Sequence, residues 1–194
     1  MSEFYKERIY PLLFMFIVTL VCIVLTAGAN ILTFDLAKAN ELSFTRRAIL
    51  DAAGLSYENT TVGIEETYLS LVSEEAGYYS ANVDGKTRYI VPLAGPGLWG
   101  TIEIMAGFEA DLSTFSGVAI VNQTETPGLG GRIEEPWFTA QFAGKQGPFT
   151  LVEEGTSAAA HEVDGITGAS RTSEYFKNLT DRAATEARRI IEGV

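Results

Sequence analysis

Hydrophobic and polar positions divide the chain into one long apolar segment and a mixed remainder. Residues 12–34 carry no charge, and most of them are large apolar residues or alanine. As an α-helix of about 35 Å, this run would cross a hydrocarbon core of roughly 30 Å with some tilt. The pattern therefore predicts a short N-terminal segment at 1–11, a transmembrane helix at 12–34 and one domain at 35–194.

A cleavable signal peptide is the alternative interpretation of the same run. Lys6 and Arg8 precede it, and residues 27–29, Ala-Gly-Ala, resemble a small-residue cleavage site. A retained anchor is favoured because the apolar run continues beyond that site to Phe34. In both cases the remainder of the chain is delivered to or across a membrane.

Beyond the apolar run, the periodicity of the apolar positions predicts helices and strands in mixed order, and therefore an α+β domain. The elements predicted are a helix at 37–53 that ends at Gly54, a hairpin of strands 78–83 and 87–93, further strands at 101–108, 117–122 and 149–153, a short helix at 135–142 and a final helix at 173–191. The final helix has a clear apolar face, and it is followed by a glycine. That face consists of Phe176, Leu179, Ala183, Ala187 and Ile190, and the glycine is Gly193.

The charge of the chain excludes one class of function and bears on orientation. With 25 acidic and 14 basic residues, the formal charge is −11. Nucleic-acid binding by phosphate neutralisation is excluded, because it depends on clustered cations. The segment before the apolar run is neutral overall, so residues 35–194 carry the negative charge. An anionic cytoplasmic leaflet would repel such a domain, which favours the extracytoplasmic side, whereas the positive-inside count is indecisive.

The reactive residue types are few. Cys22 is the only cysteine and lies within the apolar run, so no intrachain disulfide is possible, and a packing role is predicted for it. His161 is the only histidine, which argues against a histidine-rich metal site. His161, Asp164 and Ser170 are close in sequence, but no Gly-x-Ser-x-Gly elbow accompanies them. A Ser-His-Asp triad and a metal site are therefore not expected, and the chemistry should come largely from hydroxyls, carboxylates, backbone amides or a bound cofactor.

Three glycine-bearing loops stand out from the predicted scaffold, at residues 95–100, 125–131 and 164–173. The third loop leads into the final helix and combines small residues with hydroxyls. Gly168 and Ala169 would let a ligand approach the backbone, and the hydroxyls belong to Thr167, Ser170, Thr172 and Ser173. With the free N–H groups of a helix N-terminus, this composition predicts a phosphate-binding loop. The alternative is that Thr172 or Ser173 is only a helix N-cap and the glycine only a turn. The loop has neither a Walker lysine nor a Rossmann glycine triplet.

Residues 164–170, Asp-Gly-Ile-Thr-Gly-Ala-Ser, resemble the flavinylation motif Asp-x-x-(Ser/Thr)-Gly-Ala-(Thr/Ser) of the FMN-binding domain family. In that family a flavin transferase joins FMN through its phosphate to the last hydroxyl of the motif. Residues 125–131 resemble a second hallmark of the family, and Gly97-Leu98-Trp99 resembles a third. The chain thus resembles the RnfG subunits of Rnf complexes and the NqrC subunits of the sodium-pumping NADH:quinone oxidoreductase.

The resemblance implies FMN held covalently by a phosphoester to Ser170, where the respiratory-pump subunits usually carry threonine. It also implies two groups of cofactor contacts. Those at the phosphate end are Asp164, Thr167, Gly168, Ala169 and Thr172, and those around the ring are Leu98, Trp99, Glu125, Thr126, Pro127, Gly128 and Leu129. For Trp99, a place in the hydrophobic core is an equally open interpretation.

The resemblance further implies an electron-relay subunit with no independent catalysis, in a complex that couples electron transfer to sodium or proton movement. The short chain favours an Rnf-type ferredoxin:NAD+ oxidoreductase, whereas the Gly97-Leu98-Trp99 loop favours the NqrC subunit of the quinone-reducing pump. The same residues also suit a stand-alone anchored flavoprotein, acting as reductase or electron shuttle, or a non-catalytic binding module.

The expected partners are other membrane subunits, a flavin transferase during maturation and membrane lipid, with no nucleic acid. The expected location is the cell (inner) membrane, with a single span and the FMN domain on the extracytoplasmic side.

Overall fold

A computed structural model describes residues 8–193 of the chain, which divides between Leu42 and Ser43 into two compact units. Helix α1 (Tyr10–Ala53) begins in the first unit and ends in the second. Its apolar part is exposed, and by length and composition α1 is a candidate membrane span. The predicted helix at 37–53 is confirmed as its continuation, and Gly54 follows with a positive φ of 66°.

The second unit is built on a five-stranded antiparallel sheet in which the strands follow one another in chain order. The strands are β1 (Val72–Glu75), β2 (Tyr78–Val83), β3 (Lys86–Pro96), β4 (Thr101–Phe108) and β5 (Phe115–Asn122). Asp84 and Gly85 both have positive φ, 52° and 79°, and they form the two-residue turn of the predicted hairpin. The predicted α+β fold class is confirmed.

One face of the sheet packs against the C-terminal half of the domain. Helix α4 (Ser170–Glu192) buries the predicted apolar face, although Ile190 is only partly buried, and it ends at Gly193 with φ of 72°. Along the chain, β5 and α4 are separated by a 3-10 helix (Gly130–Glu134), helix α3 (Pro136–Ala140) and a parallel pair of short strands, β6 (Thr150–Val152) and β7 (Glu162–Asp164). Five aromatic side chains form the centre of this core: Phe115, Phe138, Phe142, Phe149 and Phe176.

The opposite face of the sheet packs against the end of α1 and against α2 (Thr61–Leu71). The last carbonyl groups of α1 meet the sheet directly. Ser116 Oγ donates to Ala52 O at 2.8 Å, and Arg88 Nη1 donates to Ala53 O at 2.6 Å. A side chain at Gly107 would overlap Ala52 O. The sheet therefore caps the helix, and glycine is required where the two backbones approach each other.

Four elements were not predicted: α2, β1, the 3-10 helix and β7. Helix α2 contains several β-branched and aromatic residues, which have low helix propensity. Its start is nevertheless fixed locally, because Thr60 Oγ1 accepts a hydrogen bond from Gly63 N at 3.0 Å. Strand β1 is short and largely exposed, so its residues show no apolar alternation.

Candidate functional site

The side chain of Glu125 joins the three glycine-bearing loops. Its Oε1 accepts hydrogen bonds from the backbone N–H of Leu98 at 2.8 Å and of Trp99 at 3.0 Å. Its Oε2 accepts from Thr172 Oγ1 at 2.6 Å, in the first turn of α4. Only 4% of Glu125 is exposed. One buried carboxylate therefore brings together loops that lie far apart in sequence.

Two glycines make room for this carboxylate. A Cβ at Gly97 would lie 2.5 Å from Glu125 Oε1. A Cβ at Gly130 would lie 2.7 Å from Glu125 Oε2 and 2.6 Å from Thr172 Oγ1. All three distances are far inside van der Waals contact, so these glycines are explained by the close approach of Glu125 and Thr172 rather than by a ligand.

The second loop contains a tight turn. Leu129 N donates to Thr126 O at 3.1 Å, with Pro127 second in the turn and Gly128 third at φ of 74°. Proline followed by a glycine of positive φ is the sequence preference of a type II turn. The turn places Leu129 Cδ2 about 3.3 Å from where a Cβ of Gly168 would be. The second and third loops therefore also meet through an apolar side chain.

Apolar side chains are exposed where these loops meet. Trp99 is 71% exposed, Leu98 47% and Leu129 45%. The interpretation of Trp99 as a core residue is therefore wrong. Soluble surfaces usually leave large apolar side chains singly exposed, so three of them on joined loops indicate a binding surface.

Ser170 is the first residue of α4, and it is exposed. Ala169, at φ of −131° and ψ of 40°, occupies the N-cap position, and no side chain caps the helix. Gly168 precedes it with φ of 81°, a conformation that favours glycine. Thr167 is also exposed. The exposed residue Ser170 thus lies at a helix N-terminus whose first N–H groups have no side-chain cap.

The other two hydroxyls of this loop are buried, and Ala169 holds the N-cap position, so the alternative in which one of these hydroxyls is the N-cap is wrong. Thr172 and Ser173 are each 1% exposed. Ser173 Oγ accepts from Ile166 N at 2.9 Å and donates to Ala169 O at 3.1 Å. Ala169 is itself part of the core. The helix starts three residues earlier than predicted, so these two side chains fall on its inner face.

Glu154 and Arg132 form a further connection that was not predicted. Glu154 Oε2 accepts from Thr167 N at 2.8 Å, and Arg132 Nη2 bonds to Glu154 Oε1 at 2.8 Å. Hydrogen bonds from Arg132, and next from Thr167, lower the pKa of Glu154 to about 2. Arg132 directly follows the second glycine loop, but no sequence pattern connects Glu154 with the site.

Asp164, the first residue of the flavinylation motif, forms hydrogen bonds with other residues of the domain. Its Oδ1 accepts from Ser157 N at 2.8 Å and from Thr156 N at 3.1 Å. Its backbone forms two hydrogen bonds with the Gln141 side chain, at 2.6 and 3.1 Å. These contacts anchor the start of the third loop, and this carboxylate oxygen is already occupied.

A groove of about 650 Å³ lies elsewhere on the domain, along β5. It is lined by residues of α1, β5 and α3, among them Arg47, Asp51, Val118, Ile120 and Ala140. None of the predicted cofactor contacts lines it. The groove is therefore separate from the junction of the three loops.

Residues 97–185 match the family model of the FMN-binding domain. The NqrC subunit of the Na+-translocating NADH-quinone reductase from Vibrio vulnificus is 31% identical over 157 residues, covering 77% of this chain and 62% of that subunit. The chain thus spans less than two thirds of that relative's length.

Two solved structures share the fold. The crystal structure of the same subunit from Parabacteroides distasonis has a TM-score of 0.67 and 27% identity, and covers 78% of this chain and 94% of that one. NqrC from Shewanella oneidensis has a TM-score of 0.62 and 20% identity, and the match covers 76% of this chain and 92% of that one. The matched residues 97–185 include the junction at Glu125 and the exposed Ser170. The predicted resemblance is therefore confirmed: residues 97–185 match the FMN-binding domain family, within a chain that resembles the NqrC subunit of the Na+-translocating NADH-quinone reductase.

Proposed function

We propose that this chain is the NqrC-type, FMN-carrying subunit of a Na+-translocating NADH-quinone reductase and works there as an electron relay. The relative from Vibrio vulnificus carries that subunit name, and both solved neighbours are of the same kind. They favour the quinone-reducing pump over the Rnf-type oxidoreductase that chain length favoured. The Gly97-Leu98-Trp99 sequence also favours the quinone-reducing pump.

The observation that carries the proposal is the junction at Glu125 beside the exposed Ser170. Ser170 Oγ would hold the FMN phosphate through a phosphoester, and the uncapped N–H groups of the first turn of α4 would face the phosphate oxygens. Leu98, Trp99 and Leu129 would provide apolar surface for the ring. FMN supplies the electron-accepting and electron-donating chemistry, and the protein supplies attachment and placement.

The membrane arrangement belongs to the same proposal. Residues 12–34 of α1 would anchor the chain in the cell membrane as a single span, with residues 35–194 as the FMN domain. The domain would lie on the extracytoplasmic side, as its negative charge favours. Its partners would be the other membrane subunits of the complex, a flavin transferase during maturation, and lipid around α1.

The test is purification of the tagged full-length chain from detergent-solubilised membranes of its own host. We expect yellow protein, flavin fluorescence that survives denaturing electrophoresis, and copurification of other membrane subunits. Covalent flavin without partner subunits would instead support the stand-alone anchored flavoprotein. Absence of flavin from the isolated chain would contradict the FMN proposal.

A further inference from the structure

We propose that Glu125 and Thr172 form a positioning latch that couples the two ends of the flavin site. The latch consists of the Thr172 hydroxyl, the Glu125 carboxylate and the N–H groups of Leu98 and Trp99. This inference rests on the proposed function, in which Ser170 carries FMN and the Leu98-Trp99 loop borders the ring. It gives Glu125 a role other than the cofactor contact that the family resemblance implies.

The buried carboxylate of Glu125 depends on its hydrogen-bond donors. Glu125 is 4% exposed, so water does not replace a lost hydrogen bond. Its donors are two backbone N–H groups and one hydroxyl. In the described part of the chain, residues 8–193, no Lys or Arg forms an ion pair with it. A donor lost from Oε2 therefore leaves a buried acceptor unsatisfied and removes the contact that fixes this oxygen, so that the carboxylate can shift away from the N–H groups of Leu98 and Trp99.

The latch connects the attachment point with the ring surface. Thr172 stands two residues after Ser170 in the first turn of α4, so a hold on Thr172 also fixes the backbone of Ser170. Through Oε1, the same carboxylate holds the loop that presents Leu98 and Trp99. A single side chain, that of Glu125, thereby fixes the distance between the Ser170 hydroxyl and the exposed apolar surface of Leu98 and Trp99.

Helix α4 also offers a matched control for the latch. Thr172 and Thr180 are both 1% exposed, and both lie on the inner face of α4. Thr180 Oγ1 donates only within its own helix, to Lys177 O at 2.9 Å and Phe176 O at 3.3 Å. Thr172→Val and Thr180→Val thus remove the same buried hydroxyl from the same helix, but only the first removes a donor from Glu125. Thr172→Ser restores that donor.

The first experiment measures amide hydrogen exchange by NMR on the full chain in detergent, without flavin. In Thr172→Val we expect the amides of Leu98 and Trp99 to exchange about tenfold faster than in the unaltered protein, the change expected when roughly one hydrogen bond is lost. Thr172→Ser and Thr180→Val should leave both rates unchanged. Unchanged rates in Thr172→Val, or an equal increase in Thr180→Val, would overturn the latch.

The second experiment uses the same variants coexpressed with a flavin transferase. Thr172→Val retains Ser170 and should still carry covalent flavin, but with a shifted reduction potential and a changed flavin fluorescence yield. Thr172→Ser and Thr180→Val should match the unaltered protein in both. A Thr172→Val flavin with unaltered potential and yield would contradict the positioning role. If the unaltered protein carries no flavin, the proposed function fails, while the exchange rates still decide whether the latch exists.

Discussion

The hydroxyl of Thr172 donates a 2.6 Å hydrogen bond to Oε2 of Glu125, across 47 positions of the chain. Thr172 is therefore not available as the N-cap of α4, and Ala169 occupies that position without a side-chain cap. The use of Thr172 in a tertiary contact leaves the N–H groups at the start of the helix without a protein side-chain partner there. Such a terminus suits an anion, because its N–H groups and the helix dipole both favour negative charge.

Ser170 is expected to be the only attachment point for covalent flavin. Ser170→Ala removes the oxygen that a phosphoester requires, so covalent flavin should be lost, while Ser170→Thr keeps that oxygen and should retain it. Ser173→Ala, at a buried hydroxyl of the same loop that is not among the expected cofactor contacts, is the control and should retain the flavin. The measurement is in-gel flavin fluorescence after denaturation, with the modified peptide located by mass spectrometry. Fluorescence that persists in Ser170→Ala would contradict the assignment.

Replacement of each of the two tryptophans by alanine should change the free energy of unfolding by different amounts. Trp99 is 71% exposed, so Trp99→Ala should change the free energy of unfolding by less than about 0.5 kcal/mol. Trp137 packs edge-to-face on Phe138 at 5.6 Å between ring centroids, and Trp137→Ala should cost about 1–3 kcal/mol. Chemical denaturation measures both changes. In flavinylated protein, only Trp99→Ala should alter the visible absorption spectrum of the flavin. An unaltered spectrum would exclude Trp99 from the ring surface.

Low pH should weaken the contacts that Glu154 makes with Arg132 and Thr167. Its folded-state pKa of about 2 lies below the ordinary value of 4.5, so its contribution to stability is complete above about pH 4.5 and is lost as the pH falls toward 2. Glu154→Gln should therefore be less stable than the unaltered protein at neutral pH, and the difference should vanish in acid. Melting temperatures across this range measure the difference. Glu153→Gln, at an exposed neighbour, should show no such convergence.

Gly107→Ala should destabilise the domain by about 1–3 kcal/mol, because the added methyl group would overlap Ala52 O at the end of α1. The obstacle is a backbone atom, which cannot rotate away. Gly165→Ala is the control, since its methyl group would lie 3.4 Å from the nearest atom, Val152 O, at ordinary contact distance. Thermal unfolding compares the two variants. Equal losses would show that the close approach of helix and sheet is not the cause.

Removal of the apolar run should leave a soluble monomeric domain. Deletion of residues 1–34 removes exposed apolar surface but leaves the buried stretch of α1, which includes Ile49 and Leu50. The product should still accept FMN when it is coexpressed with a flavin transferase. Deletion of residues 1–53 also removes that buried stretch, and the product should aggregate. Gel filtration and flavin content measure both outcomes. A 1–34 deletion that stays in membranes would reveal a second membrane contact.

Local patterns predicted most of the elements, because periodicity and turn residues are themselves local. The turn at Asp84-Gly85 and the C-terminal glycine at Gly193 lie where such patterns placed them. Helix α2 was missed because its composition contradicts its conformation, which the sheet and the end of α1 stabilise. Tertiary packing often overrides propensity in this way.

The candidate site was predictable as a set of loops but not as a set of contacts. The local sequence does not show that the hydroxyls of Thr172 and Ser173 face inward. Their direction depends on where α4 begins, and it begins three residues before the predicted start. The role of Glu154 has no sequence signal, because its partners Arg132 and Thr167 lie 22 and 13 positions distant.

The exposure of Ser170 bears on the order of events during maturation. Thr167, Gly168, Ser170 and Arg171 are all exposed, although the residues between and after them are packed into the domain. A modifying enzyme could therefore reach the Ser170 hydroxyl on the surface of the folded domain, and it need not act before folding is complete. If Ser170 is the attachment point as proposed, folding can precede flavin attachment, and a pool of folded, colourless protein should accumulate whenever flavin is scarce.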